Sequence, residues 1–270
     1  MQIYKGMNIA TAKPTAEELR GIKHHLIDFV EPHEAYSVAD YVEVARRTIA
    51  EISARGKLPI IAGGTGLYIN SLIDNVEFAE IKADAAFRRE MQSLADEKGA
   101  EFLLGKLREI DPLSAEILHE NNTKRVIRAL EVFHVTGRTM SAHKAASRLH
   151  PSPYEPLMLG MNFHRTELYE RIDRRVDLML EMGLLDEAKS FYEAENSHTS
   201  IQAIGYKELL PFIKGEAALA ECVANLKKAT RNYAKRQLTW FKKDSRIRWI
   251  APTELDTLDF AELVQRVGSK

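Results

Sequence analysis

The segment from Lys57 to Leu72 does most to limit what this chain can fold into. Lys57-Leu58-Pro59-Ile60-Ile61-Ala62 is a short β-prone apolar run, and Gly63-Gly64-Thr65-Gly66 follows at once. Leu67, Tyr68, Ser71 and Leu72 then fall at helical spacing. That order predicts strand, tight turn, helix. Upstream, Val38, Tyr41, Val42, Ala45, Ile49 and Ile52 recur with a helical period, and Ser37 is placed to cap them. His24 to Val30 reads as another strand, ending at Glu31-Pro32. Strands alternating with helices predict an α/β fold with a parallel sheet core.

From Ile81 to His150 the pattern turns mostly helical, with caps such as Asp111-Pro112 and Asn121-Asn122-Thr123. It predicts a helical insertion domain over 81–150, between core segments 1–80 and 151–270. Pro151-Ser152-Pro153 punctuates the chain, and Leu157 to Met161 resumes a β-like run. Glu167 to Ala194 and Glu216 to Lys243 read as long helices, and Arg248-Trp249-Ile250 as a last short strand.

With 270 residues, 45% of them hydrophobic and 29% charged, the chain holds enough apolar side chain for a sizeable core. Its one cysteine, Cys222, excludes an intramolecular disulfide and is expected as a small buried residue. No CxxC, HxxxH or HExxH spacing occurs, so no zinc site is expected. There is no N-terminal basic-plus-apolar signal, and no apolar run approaches the ~20 residues that span a bilayer. A cytoplasmic protein is expected.

The formal net charge is only −1, so any surface for a polyanion must be local. Lys227 to Arg248 is such a place, with nine Lys/Arg and one acid, Asp244. Wound as a helix, it puts Lys228, Arg231, Lys235 and Lys242 in a narrow arc, with Leu226, Tyr233 and Trp240 opposite. Two readings stand: a solvated helical surface, or a stripe that tracks nucleic-acid phosphates.

Three smaller features carry chemistry. The Gly63-Gly64-Thr65-Gly66 turn opens a helix and could face an anion with free N–H groups, or simply serve as a tight connection. It is not a phosphate loop of the GxxxxGK[ST] type, which the chain lacks, as it lacks GxGxxG. Lys124 and Arg128 stand four apart on one helical face, able to clamp phosphate oxygens unless Arg128 pairs with Glu131. Gln202, ahead of Gly205-Tyr206, could read a base edge or a phosphate, or cap a helix.

Taken together and in order, these pieces resemble one family, the tRNA dimethylallyltransferases or isopentenyl-tRNA transferases. The matching segments are MQIYKGMNIATAKPT, HHLID, GKLPIIAGGTGLYINSL, NNTKRVIRALEVFHVTGRT, RRVDLMLEMGLLDEA, SIQAIGYKEL and TRNYAKRQLTWFKK. The resemblance implies a P-loop-NTPase-like parallel sheet core with a helical insertion domain. It implies transfer of a dimethylallyl group from dimethylallyl diphosphate to N6 of the adenosine 3′-adjacent to the anticodon, with Mg²⁺ as cofactor. The implied partner is a tRNA anticodon stem-loop, and the implied state is a monomer.

By position, Met1 and Gln2 match the end of the family's Asp-Ser-x-Gln motif, which touches the target nucleotide. Thr65 matches an RNA contact. Arg88 and the segment Lys124, Arg125, Val126, Ile127, Arg128 match tRNA-contacting positions. Gln202 aligns with a position that is Arg in some relatives and is tied there to diphosphate. Arg231, Lys235 and Arg236 match the basic helix near the tRNA backbone. The family places a strand, a P-loop and a helix ahead of Asp-Ser-x-Gln, so this chain is expected to start inside that motif. The general-base Asp and the diphosphate cradle would lie upstream of Met1, leaving no catalytic residue to assign and little transferase activity to expect. A nonenzymatic tRNA-binding remnant, and an adenylate dimethylallyltransferase or nucleotide-kinase-like enzyme, stand as alternatives.

Overall fold

The computed structural model describes residues 1–76, 83–147, 151–194 and 200–259. In chain order the helices are α1 (Val38–Ala54), α2 (Gly66–Ile73), α3 (Ala85–Lys98), α4 (Ala100–Ile110), α5 (Pro112–Ile117), α6 (Thr123–Thr136) and α7 (Met140–Ser147). Strand β1 (Met158–Met161) precedes α8 (Arg165–Glu181), α9 (Leu184–Glu193), α10 (Tyr206–Ile213) and α11 (Leu219–Phe241), and β2 (Ile247–Ile250) follows. Two compact units result: Met1–Ile69 together with the chain from Glu155 onward, and Asn70–Tyr154. The expected insertion limits, Ile81 and His150, lie outside the described residues.

In the first unit β1 and β2 pair in parallel, Met158 opposite Ile247 and Met161 opposite Ile250. A Cβ on Gly160 would stand 2.9 Å from Ile247 and 3.0 Å from the Trp249 ring, so this strand position has room only for glycine. Tyr4, Met7 and Val30 from the N-terminal segment pack with Val176, Leu184, Phe191, Tyr206, Leu209 and Cys222 into one core. Cys222 is buried there, as its size and polarity suggest. The second unit encloses Met91, Leu103, Leu104, Leu107, Val126, Ile127 and Leu130. Their spacing on α4 and α6 is the helical repeat that the sequence shows.

Local signals hold where their partners are local. Ser37 caps α1 in a full capping box with Asp40. The expectation of a strand over Lys57–Ala62 fails: the segment joins no ladder among the described residues. Leu58, Ile60 and Ile61 are exposed there, Ile60 to 82%. A strand needs a neighbour for its N–H and C=O groups, and apolar composition alone supplies none. His24 to Val30 likewise yields a single bridge, Val30 with Tyr4, rather than a strand. The expected helix from Glu167 to Ala194 is two helices, because Gly183 takes φ +98° between α8 and α9.

Candidate nucleic-acid interface

The Gly-Gly-Thr-Gly turn acquires its shape from the far end of the chain. The Thr65 carbonyl accepts the N–H groups of Tyr68 and Ile69, at 2.9 and 3.2 Å, which starts α2 directly behind the turn. Gln237 on α11 donates its side-chain amide to the Gly64 carbonyl at 3.0 Å. Trp240, one turn on, lies so close to Gly66 that a Cβ there would fall 2.2 Å from the indole. Neither glycine has positive φ, so close approach of backbone to α11 is what requires them. The docking leaves Thr65 exposed beside the basic helix. Gln237 and Trp240 were legible only as residues of an amphipathic helix; the Gly64 carbonyl that Gln237 meets lies 173 positions away.

On α11 the basic arc is not uniform. Arg231 forks onto Asp173 of α8, at 2.5 and 2.7 Å, and Lys227 pairs with Asp177. These cations are taken up by carboxylates that sequence spacing could not assign to them. Lys228, Lys235, Arg236 and Lys242 are exposed and have no carboxylate partner among the described residues. The basic run is thus part ion pair, part open cation.

The N-terminal segment is held by α9. The Glu187 carboxylate accepts the N–H groups of Asn8, Ile9 and Ala10 at 2.8 to 3.0 Å and the Tyr206 hydroxyl at 2.9 Å. Burial, with the Glu187 charge beside it, pushes the Tyr206 phenol far above its ordinary value, so it stays a donor. Gln2 spends its amide on the carbonyls of Thr11 and Ala12, at 3.1 and 2.8 Å, and so shapes this loop. Met1 is exposed next to it. Gln202 ends a single 3-10 turn with its side chain in solvent. It is not the cap of α10, because the Gly205 N–H is taken by Glu208 at 2.9 Å.

In the helical unit Glu131 decides the geometry. It is fully buried and receives Arg88 through Nε and Nη2, at 2.8 and 2.9 Å, Arg128 at 2.5 Å, and the Asp84 N–H at 2.9 Å. Burial would raise its carboxyl pKa, but the hydrogen bonds from Arg88 and Arg128 outweigh that and hold it below the usual carboxylate value. The two arginine side chains stay 46% and 38% exposed. With one carboxylate between two guanidinium groups, the cluster keeps a net positive charge. Lys124 and Arg125 are exposed on the same helix. Val126 and Ile127 are buried in the core of the unit, so their side chains anchor α6 and present nothing to a partner.

A family model described as IPP transferase matches residues 2–244, which is most of the chain. The chain belongs to the IPP transferase family. Among its curated relatives, the tRNA dimethylallyltransferase of Acetivibrio thermocellus is 50% identical over 259 residues, covering 95% of this chain and 83% of the relative. That of Bacillus subtilis is 48% identical over 254 residues, covering 94% and 81%. The full-length tRNA isopentenylpyrophosphate transferase structure from Bacillus halodurans superposes with TM-score 0.66 at 43% identity, covering 98% of this chain and 82% of that one. A eukaryotic dimethylallyltransferase acting on tRNA gives TM-score 0.76 at 29% identity, over 99% and 69%. The mixed α/β fold with its parallel sheet is therefore the fold of this transferase family.

Proposed function

We propose that this IPP transferase family member modifies tRNA, moving a dimethylallyl group from dimethylallyl diphosphate to N6 of the adenosine 3′-adjacent to the anticodon. The observation that carries the reading is the docking of Gln237 and Trp240 on the Gly-Gly-Thr-Gly turn. It holds exposed Thr65 against α11, the helix that also carries the open cations Lys235, Arg236 and Lys242, so that an RNA strand can be tracked along its phosphates while a loop base is held at the turn. In the helical unit, Arg88 and Arg128 on Glu131, with Lys124 and Arg125, form a second phosphate-binding surface.

The chemistry asks for more than RNA contact. An exocyclic adenine amine is a weak nucleophile, so transfer needs a base near N6, help for the departing diphosphate, and exclusion of water from the allylic cation. None of the mapped residues is a carboxylate able to take the N6 proton; their work is holding and orienting RNA. Among the described residues there is no group of three or more His, Cys, Asp or Glu that could hold a metal ion; the Mg²⁺ of this proposal would come with the diphosphate, whose oxygens are ordinary ligands for it. No helix among the described residues is long and apolar enough to cross a membrane.

A transfer assay with labelled dimethylallyl diphosphate, run on tRNA and on AMP and paired with a gel shift, tests the reading. Label entering tRNA in preference to AMP supports it. Equal use of AMP and tRNA overturns it in favour of an adenylate enzyme. Salt-sensitive binding without turnover leaves a tRNA-binding protein.

A further inference from the structure

A cleft of about 650 Å³ opens on the first unit, away from the Gly-Gly-Thr-Gly turn. One wall is Asn162 to Arg165 with Leu168 and Tyr169; the other is Lys235, Leu238, Thr239 and Lys242 of α11. Its place is set by the sheet. Asn162 directly follows β1 and donates to the Ile250 carbonyl at 2.9 Å, so the cleft lies at the carboxyl ends of two parallel strands. That is where open α/β sheets hold their ligands.

The lining is one-sided in charge. Arg165, Lys235 and Lys242 enter it, no Asp or Glu does, and none of the three has a carboxylate partner among the described residues. Flat groups stand with them. The Arg165 guanidinium lies 5.2 Å from the centre of the Tyr169 ring, and Arg171 lies 4.8 Å from that of Phe163. An arginine stacked on an aromatic ring is itself a platform for a base. Such a mixture suits a ligand that is anionic at one end and planar at the other, which is a nucleotide.

We infer that this cleft binds one unstacked nucleotide of the RNA, its phosphate at Lys235 and Lys242 and its base against Arg165 and Tyr169. The inference rests on the tRNA reading above, since a strand already tracked by α11 passes Lys235. It adds a base-holding subsite on the side of α11 that does not face the turn. A free mononucleotide shares the same chemistry, and the experiment separates the two.

The test measures tRNA affinity across a salt series for the whole chain and for Tyr169→Ala, Tyr169→Phe and Lys242→Ala, with AMP titrated calorimetrically in parallel. Tyr169→Ala should weaken tRNA binding about 10-fold at unchanged salt slope, because stacking is lost and no charge is. Tyr169→Phe should keep the affinity, and hydrogen-exchange protection of α8 in Tyr169→Ala should match the unsubstituted chain, which a failure of folding would not allow. Lys242→Ala should lower the salt slope by about 1. If the unsubstituted chain binds no tRNA, the functional reading and the cleft fall together. If it binds and the three variants match it, the cleft alone falls. AMP binding that is lost in Tyr169→Ala while tRNA affinity stands would overturn the assignment to RNA.

Discussion

Glu131 shows how one residue can organise others that were read separately. Arg88 and Arg128 are 40 positions apart, and only the pairing of Arg128 with Glu131 is suggested by spacing in the sequence. Their shared carboxylate is fully buried, so removing both guanidinium groups would strand a charge in the core of the helical unit. Arg88→Ala with Arg128→Ala should therefore destabilise that unit by about 3–5 kcal/mol, measured by hydrogen exchange of the α6 amides. The pH dependence has a definite sign. Because the folded-state pKa of Glu131 is depressed, its contribution is complete above the ordinary value of 4.5 and fades as pH falls below that through the folded value. Asp111 acts in the same direction from its ordinary value of 3.8: burial pulls its pKa up, and hydrogen bonds from Ser114 and Ser141 overcome that. Protection of α6 should hold from pH 6 down to about 4.5 and decline below it. In Glu131→Gln the part of that decline due to Glu131 should vanish, leaving the part due to Asp111. The alternative weighed for Arg128, a pairing with Glu131, is what the structure contains; the pairing exposes the guanidinium rather than hiding it.

At the scale of elements, the helices were readable, and so were the two strands that pair, Leu157 to Met161 and Arg248 to Ile250, whereas the strands expected at Lys57 to Ala62 and His24 to Val30 did not form. α1 begins where Ser37 and Asp40 form their box, since capping spans three residues of one segment. α11 runs from Leu219 to Phe241, inside the span its periodicity predicted. The single-helix reading of Glu167 to Ala194 failed at one residue, Gly183, whose left-handed φ turns the chain between α8 and α9. Gly183→Ala would force a side chain into that conformation. A loss of about 1–3 kcal/mol is expected in a denaturation midpoint, larger than glycine-to-alanine changes inside a helix produce. Lys57 to Ala62 failed for the opposite reason. Its residues favour a strand, but a ladder is a property of two segments, and among the described residues only β1 with β2 makes one.

At the scale of the whole molecule, a nearly neutral chain concentrates cation on one helix and then withdraws part of it. Arg231, with Asp173 forked onto it, is close to neutral toward an RNA strand, whereas Arg236 is exposed and has no carboxylate partner among the described residues. Arg236→Ala should lower the salt slope of tRNA binding by about 1, and Arg231→Ala by clearly less, in the same gel-shift series. Equal slopes would mean that the ion pair opens on binding. Sequence alone determined the family, the helical repeats, the caps and the basic character of α11, because each depends on residues a few positions apart or on motif order. Tertiary structure decided which cations stay free, what the Gly-Gly-Thr-Gly turn rests against, and which flat groups share a cleft with Lys235 and Lys242. Those outcomes join residues as far apart as Gly64 and Gln237 or Asp173 and Arg231. Only packing brings such pairs within the 3 Å or so at which hydrogen bonds and ion pairs act.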